Sequence, residues 1–413
     1  MYRSIQEYIN EKERVIIADR RALHKTPETA FNEFRTQEYI VRRLLDLGYD
    51  PIVSEKATGK PTGVIAELRC GDGPLTALRF DIDALAITET NSPDHLPSSC
   101  GFRSENNCMH ACGHDGHIAI GLACADALMH FKSALKGTVR FIFQPAEEGC
   151  RGANAVTSMG WLDDADYFLS GHIVGREYDP AFENPDNSAD IRKIDVIPGV
   201  SSSLATTKID VSFSGTPCHA SQPECGSSVI PAIASCVLAI NGIPRNSGGA
   251  TFVNIGRISA GESRNIIAGN GSAELEVRGS TTALNAYMEE NVLRIIKNCC
   301  GMYNVKADID ILGRCPSLES SDSLHLSALD VCRSKLSGIR TADEMRPFKA
   351  SEDAAVMMEK VKSHGGSAIF FLFVADTTSP LHCPDYDFDE KILVKAASVF
   401  CGMVLDICGQ CCP

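Results

Sequence analysis

Apolar positions along the first third of the chain switch between two periods. Residues 4–24 and 35–48 repeat every three to four positions, the spacing that gathers an apolar stripe on one face of a helix. "GVIAEL" and "LTALRFDID" are short apolar runs that predict strands, the second ending in acidic residues. "GHIAIGLACADALMHF" predicts a strongly apolar helix, "GTVRFIFQPAEEG" a buried strand stopped by Pro145, and "DYFLSGHIV" another short strand. Such alternation predicts an α/β sheet with helices on both faces, in which ligand groups gather at the C-terminal ends of strands.

The rhythm then changes. Residues 176–203 are rich in Pro, Asp, Asn and Ser, lack a period and read as a long connection. After it, "ATTKIDVSFSG", "SVIPAIASCVLAI", "ATFVNIGRIS", "SAELEVRG", "TTALNAYMEENVLRIIKNCCGMY" and "NVKADIDILG" read as strand, helix, strand, strand, helix, strand. That β-α-β-β-α-β order is the split pattern of a ferredoxin-like domain. The α/β pattern returns with helices near 322–337 and 351–362, the strand "SAIFFLFV" and a last helix from about 389. The predicted fold class is therefore α/β. A large domain covers 1–204 and 313–413, and a ferredoxin-like domain is inserted over 205–312.

Composition narrows the function. A chain of 413 residues is long enough for two domains, since single cores rarely grow past ~250–300 residues. A net charge of −14 leaves no basic surplus to neutralise phosphates, which argues against a nucleic-acid or anionic-membrane partner. The opening "MYRSIQEYINEKERVI" has no apolar signal region, and no run approaches the ~18 apolar residues of a membrane span, so a cytoplasmic protein is expected. Eighteen cysteines in a chain of this kind read mostly as reduced, buried, small apolar residues. The tail "CGQCC" (Cys408, Cys411, Cys412) reads as inert thiols, with a redox or metal-binding pair as the alternative.

Five stretches carry chemistry. In "MHACGHDGHIAIG", Cys112 and His114 stand two apart in a turn before a helix, and thiolate and imidazole are good ligands for Zn²⁺ or another borderline transition metal. Taken alone, the pair also reads as a buried thiol beside surface histidines. "QPAEEG" ends a buried strand with Glu147 and Glu148 side by side, a costly place for two carboxylates unless something positive offsets them. Such a pair permits a division of labour, one binding metal and the other serving as general base. His172 follows a short apolar strand in "SGHIV", and His382 lies in a Pro-flanked turn in "SPLHCPDYDFDE". Asp81 and Asp83 end the strand in "RFDIDAL", as ligands or as acceptors that orient a ligand histidine. Together these point to one or two transition metals around a water.

"MHACGHDGH", "FQPAEEG", the "GH" after a strand and "H-x-P-x-x-D-F-D-E" resemble the amidohydrolase branch of the two-domain dinuclear metallopeptidases, over essentially the whole chain. The resemblance implies a metallopeptidase-like catalytic domain with an inserted lid or dimerisation domain, and two divalent ions, Mn or Zn. It implies Cys112, His114, Glu148, His172 and His382 as metal ligands, and Glu147 as the general base that takes a proton from the attacking water and returns it to the leaving amine. Asp81 and Asp83 fit supporting positions, and His117 matches a motif histidine. In "FSGTPCHASQP", His219 is the histidine that in the family reaches the partner subunit's active site and stabilises the tetrahedral oxyanion. In "SRNII", Arg264 and Asn265 stand where the family holds the substrate's carboxylate or carbonyl. Within the branch, "GTVRFIFQPAEEGCRGA", "RNII", "VRGS" and "SEDAAVMM" most resemble members that cleave p-aminobenzoyl-glutamate. The expected partners are that small substrate and a second subunit, as homodimer or heterodimer. The alternatives are a generic N-acyl-amino-acid deacylase, like a hippurate hydrolase, and a mainly non-catalytic partner subunit. Two positions depart from the family pattern. Ser228 replaces a usual Asn, which bears on the subunit contact, and Cys383 replaces the usual Asn after His382.

Overall fold

The computed structural model describes residues 1–176 and 194–410. The part of the predicted connection over 177–193, and the tail residues Cys411 and Cys412, lie outside the described residues. The chain divides into two compact units. The first comprises Met1–Ser201, Glu319–Phe348 and Asp353–Pro413; the second comprises Ser202–Leu318 and Lys349–Glu352.

The first unit is built on a seven-stranded mixed sheet. Its order is Ile52–Val53, Val64–Arg69, Thr138–Gln144, Leu75–Asp81, Tyr167–Gly175, Ser367–Ala375, Val196–Ile197. The Leu75–Asp81 strand runs parallel to both of its neighbours, and Ser367–Ala375 runs parallel to Tyr167–Gly175. These central strands are buried on both faces, which is why they read as continuous apolar runs and not as alternation. Parallel register also sets the place of the chemistry. Asp81 pairs with Gln144, so the segments that carry Asp83 and Glu147–Glu148 leave the sheet at the same edge. Leu78 pairs with Leu169, and three residues on the same register brings His172 level with Asp81.

The apolar helix His114–His130 packs on this sheet. Its approach is close at Gly121, where a Cβ would lie 2.7 Å from the Phe80 ring and 2.8 Å from Phe143. The helix opens from Gly113, whose φ of +85° suits a residue without a Cβ.

Three sequence expectations change. The helix expected over 4–24 is two helices, Tyr2–Glu11 and Glu13–His24, meeting at Lys12. No buried apolar residue lies between Ile9 and Ile16, so packing does not hold that turn straight. The strand predicted for "DYFLSGHIV" forms as Tyr167–Gly175, paired with Ser367–Ala375, so His172 sits inside it and does not follow it. The end of the expected connection is ordered, with Val196–Ile197 pairing against Leu372 and Phe373.

The second unit has the element order strand, helix, strand, strand, helix, strand. Its antiparallel sheet runs Lys306–Cys315, Ala205–Ser214, Asn270–Gly279, Thr251–Ala260. Alternation along Ala205–Ser214 buries Ile209, Val211 and Phe213 against Ile233, Met288 and Val292 of its two helices. The long helix Thr282–Met302 is capped by Thr281, whose hydroxyl accepts the Leu284 N–H. No disulfide joins the described cysteines, and most of them are buried. Among the described residues no helix is long and apolar enough to cross a membrane.

Candidate metal centre

The first unit brings the thiol, imidazole and carboxylate groups into one cluster. Ligand-type atoms of Cys112, His114 and His172 lie within 4.8 Å of one another, as do those of Cys112, Glu148 and His382 and those of His114, Glu147 and Glu148. The three sets share members, so they form a single centre. It is buried at His114 and His172 and opens at His382, whose side chain is half-exposed. His382 is held with φ +68° by a bond from its N–H to the Ala111 carbonyl (2.8 Å), and its Nε2 lies 3.6 Å from Glu148 Oε2.

Hydrogen bonding decides which histidine nitrogens remain available. His114 Nδ1 is 2.8 Å from the Asp83 carbonyl, and a carbonyl only accepts, so Nδ1 carries the proton. His114 Nε2 is buried with no hydrogen-bond partner. His172 repeats the arrangement. Its Nδ1 donates to the Ile173 carbonyl (2.7 Å), and its Nε2 stands 3.3 Å from Cys112 Sγ. Ligand imidazoles are oriented in this way, one nitrogen spent on a fixed acceptor and the other presented to the ion.

The charges agree. Burial opposes a charge on His114, yet Asp81, Asp83 and Glu148 raise it to about 10. Burial raises Glu148 to about 7 against the pull of His114. Burial, with His117, holds His172 well below its ordinary value. A buried, anionic, sulfur-bearing cluster that draws positive charge onto His114 fits a borderline transition cation, which when bound would take the place of the His114 Nε2 proton.

Asp83 is the hub of this geometry. Besides orienting His114 through its carbonyl, its carboxylate accepts the N–H of Glu147 (2.9 Å) and of Glu148 (3.1 Å). Asp81 acts elsewhere: it takes the His117 Nδ1 proton at 2.5 Å and an Arg79 N–H at 2.8 Å. His117 Nε2 accepts the Ile173 N–H (2.9 Å). Asp81, His114 and His117 also lie within the ligand spacing. Both nitrogens of His117 are nevertheless spent, so it ties the helix to two strands and has no lone pair for an ion or a substrate.

Further residues support the site. Arg79 also bonds Gln144 (2.8 Å) and Asp353 (2.9 Å), and Asp353 accepts the Ala153 N–H. Glu33 accepts the N–H of Ala146 (3.0 Å), which has φ +57°, bracing the turn that presents Glu147. A charged Arg79 within an apolar strand was the available signal, since a buried charge demands partners. Nothing local marked Glu33.

His219, Arg264 and Asn265 lie in the second unit, all exposed. The fold brings them together: His219 bridges Ile266, and the Ala220 N–H donates to the Asn265 carbonyl (3.0 Å). His219 Nδ1 meets Ser221 Oγ at 2.7 Å and the Ser221 N–H at 3.2 Å. Accepting at Nδ1 leaves the proton on Nε2, which makes that nitrogen a donor. Ser228 is the N-cap of the helix Val229–Asn241, and Cys383 is partly exposed beside His382.

The profile of peptidase family M20/M25/M40 matches residues 77–406. The chain is 39% identical to a p-aminobenzoyl-glutamate hydrolase subunit homolog of Haemophilus influenzae, covering 83% of this chain and 78% of that protein. It is 32% identical to a p-aminobenzoyl-glutamate hydrolase subunit of Escherichia coli, covering 98% of each. Among solved structures, the aminobenzoyl-glutamate utilization protein of Klebsiella pneumoniae is 27% identical with a TM-score of 0.80, over 98% of this chain and 100% of that one. The Bacillus subtilis YXEP protein, a dinuclear metal binding peptidase, is 26% identical with a TM-score of 0.70, over 96% and 99%.

Proposed function

The chain belongs to peptidase family M20/M25/M40 and is a metal-dependent amidohydrolase, and from that premise we propose that it hydrolyses p-aminobenzoyl-glutamate to p-aminobenzoate and glutamate. The names of the two relatives support the substrate. One observation carries the chemistry: His114 and His172 each spend Nδ1 on a main-chain carbonyl and turn Nε2 toward Cys112 and the glutamates.

In this reading Cys112, His114, Glu148, His172 and His382 hold two divalent ions, Mn or Zn, a number in keeping with the dinuclear YXEP protein. When bound, the ions supply Lewis acidity, acidifying water and polarising the amide carbonyl. Glu147 accepts the proton of the attacking water and hands it to the departing amine. Asp83 fixes its position by holding its main chain. His219 donates from Nε2 to the oxyanion of the tetrahedral intermediate formed in the partner subunit's site. Arg264 pairs with the glutamate carboxylate through its guanidinium, and Asn265 holds the adjacent carbonyl. The active protein pairs with a second copy of itself or with a related chain, and works in the cytoplasm.

The test is hydrolysis of p-aminobenzoyl-glutamate against hippurate and N-acetyl-glutamate, each with Mn²⁺, with Zn²⁺ and after chelation. Metal-dependent release of p-aminobenzoate, lost in Glu147→Gln, is expected. Release from hippurate alone moves the substrate to a generic deacylase. No release from any of the three by metal-loaded protein overturns catalysis by this chain alone.

A further inference from the structure

His219 stands in a loop with a cysteine at each end, "CHASQPEC". The loop is closed by an antiparallel pair: Thr216 N–H donates to the Ser227 carbonyl (3.1 Å), and Ser227 N–H to the Thr216 carbonyl (3.0 Å). Beyond that pair the two arms part, and the Cys218 carbonyl accepts the Ile267 N–H (2.8 Å). The Cys225 N–H donates to the Gln222 carbonyl (3.1 Å). Cys218 Sγ donates to that same carbonyl at 3.2 Å, so both cysteines meet at one atom. The sulfur of Cys218 also lies over Gly226, where a Cβ would come within 2.6 Å of it. Only a glycine beside Cys225 leaves that space open. Cys225 is exposed and Cys218 partly so.

We propose that Cys218 and Cys225 form a modification site, a dithiol that a hydroperoxide closes into a disulfide and that thereby resets His219. The Cys225 sulfur attacks the peroxide oxygen, giving a sulfenic acid and one water from hydrogen peroxide. The Cys218 sulfur then attacks the Cys225 sulfur, the S–S bond forms, and hydroxide leaves and takes up the Cys218 proton as a second water. Two thiols are oxidised by two electrons and one peroxide is reduced. Cys225 is the more exposed of the two, which suits it to react first and Cys218 to resolve it. Closure takes the Cys218 thiol off Gln222, which is adjacent to Ser221, the residue that orients the His219 ring.

The effect on turnover rests on the reading of His219 as oxyanion donor; the disulfide itself does not. The metal-loaded, full-length protein is treated with hydrogen peroxide, its remaining thiols are alkylated, and it is cut after Glu224 without reduction. The two fragments should stay joined through Cys218 and Cys225 and separate on adding a thiol. In parallel kcat should fall toward the ~10²-fold loss of one oxyanion donor and recover with thiol. A Cys218→Ser/Cys225→Ser protein should keep its basal activity and lose the thiol-reversible part of the inhibition. Both cysteines found alkylated after peroxide overturns the site. The same reversible inhibition in the double variant overturns its effect on turnover. His219→Ala at wild-type kcat would instead overturn the reading of His219, while the joined fragments would still stand on their own.

Discussion

Glu147 and Glu148 are neighbours with different surroundings. Glu148 shares a ligand-sized cluster with Cys112 and His382, whereas Glu147 is buried with its Oε2 4.0 Å from His114 Nε2. In the proposed reading the roles divide accordingly. Glu147→Gln should lower kcat by ~10²–10⁴ while bound metal, measured by elemental analysis, stays unchanged. Cys112→Ala should lower bound metal as well as kcat. A Glu147→Gln protein that has lost its metal would reverse the two assignments. The residue types at 112, 114, 147, 148, 172 and 382 were legible in the sequence because metal chemistry uses few side chains. Their supports were less so. The inert state of His117 depends on an Ile173 N–H that arrives from a strand distant in sequence, and no spacing announces it.

Elements place these residues, and parallel register does most of the placing. Asp83 reaches the Glu147 and Glu148 N–H groups because Leu75–Asp81 and Thr138–Gln144 end level with each other. Asp83→Asn weakens charge-assisted bonds to two main-chain donors, so kcat/KM for p-aminobenzoyl-glutamate should fall about tenfold or more while circular dichroism is unchanged. Packing is as demanding. Gly121→Val pushes a side chain into Phe80 and Phe143, and overpacking of this kind costs ~1–3 kcal/mol, readable in urea unfolding. The strands and the helix were plain in the periodicity, since burial on both faces leaves continuous apolar runs. The break at Lys12 was not, because it depends on what other segments of the chain supply.

Across the whole molecule, a buried charge network links distant parts of the first unit. Arg20 bonds Asp115, Asp387 and Glu390, and His24 bridges Asp115 and Glu89. Burial disfavours a charged His24, but Asp115 and Glu89 outweigh it and raise its pKa to about 9. A raised imidazole stabilises the fold fully below its unfolded value of ~6.5 and loses that contribution as pH climbs through about 9. Thermal unfolding should therefore show stability falling across that window by an amount on the order of 3 kcal/mol, and His24→Gln should flatten it. An equal slope in the variant would place the titration elsewhere. The change of element rhythm at two places in the chain was legible in the sequence. The network was not, since its members are spread from residue 20 to residue 390.

The central claim is that the cluster around Cys112 holds the ions that make this chain a hydrolase. Metal-stripped protein titrated with Mn²⁺ or Zn²⁺, with p-aminobenzoate release read at each addition, tests it most directly. The account predicts no release without metal and activity that rises until two equivalents per chain are bound. Undiminished release from the stripped protein, or saturation of the cluster with no release from any acyl-glutamate, would contradict it.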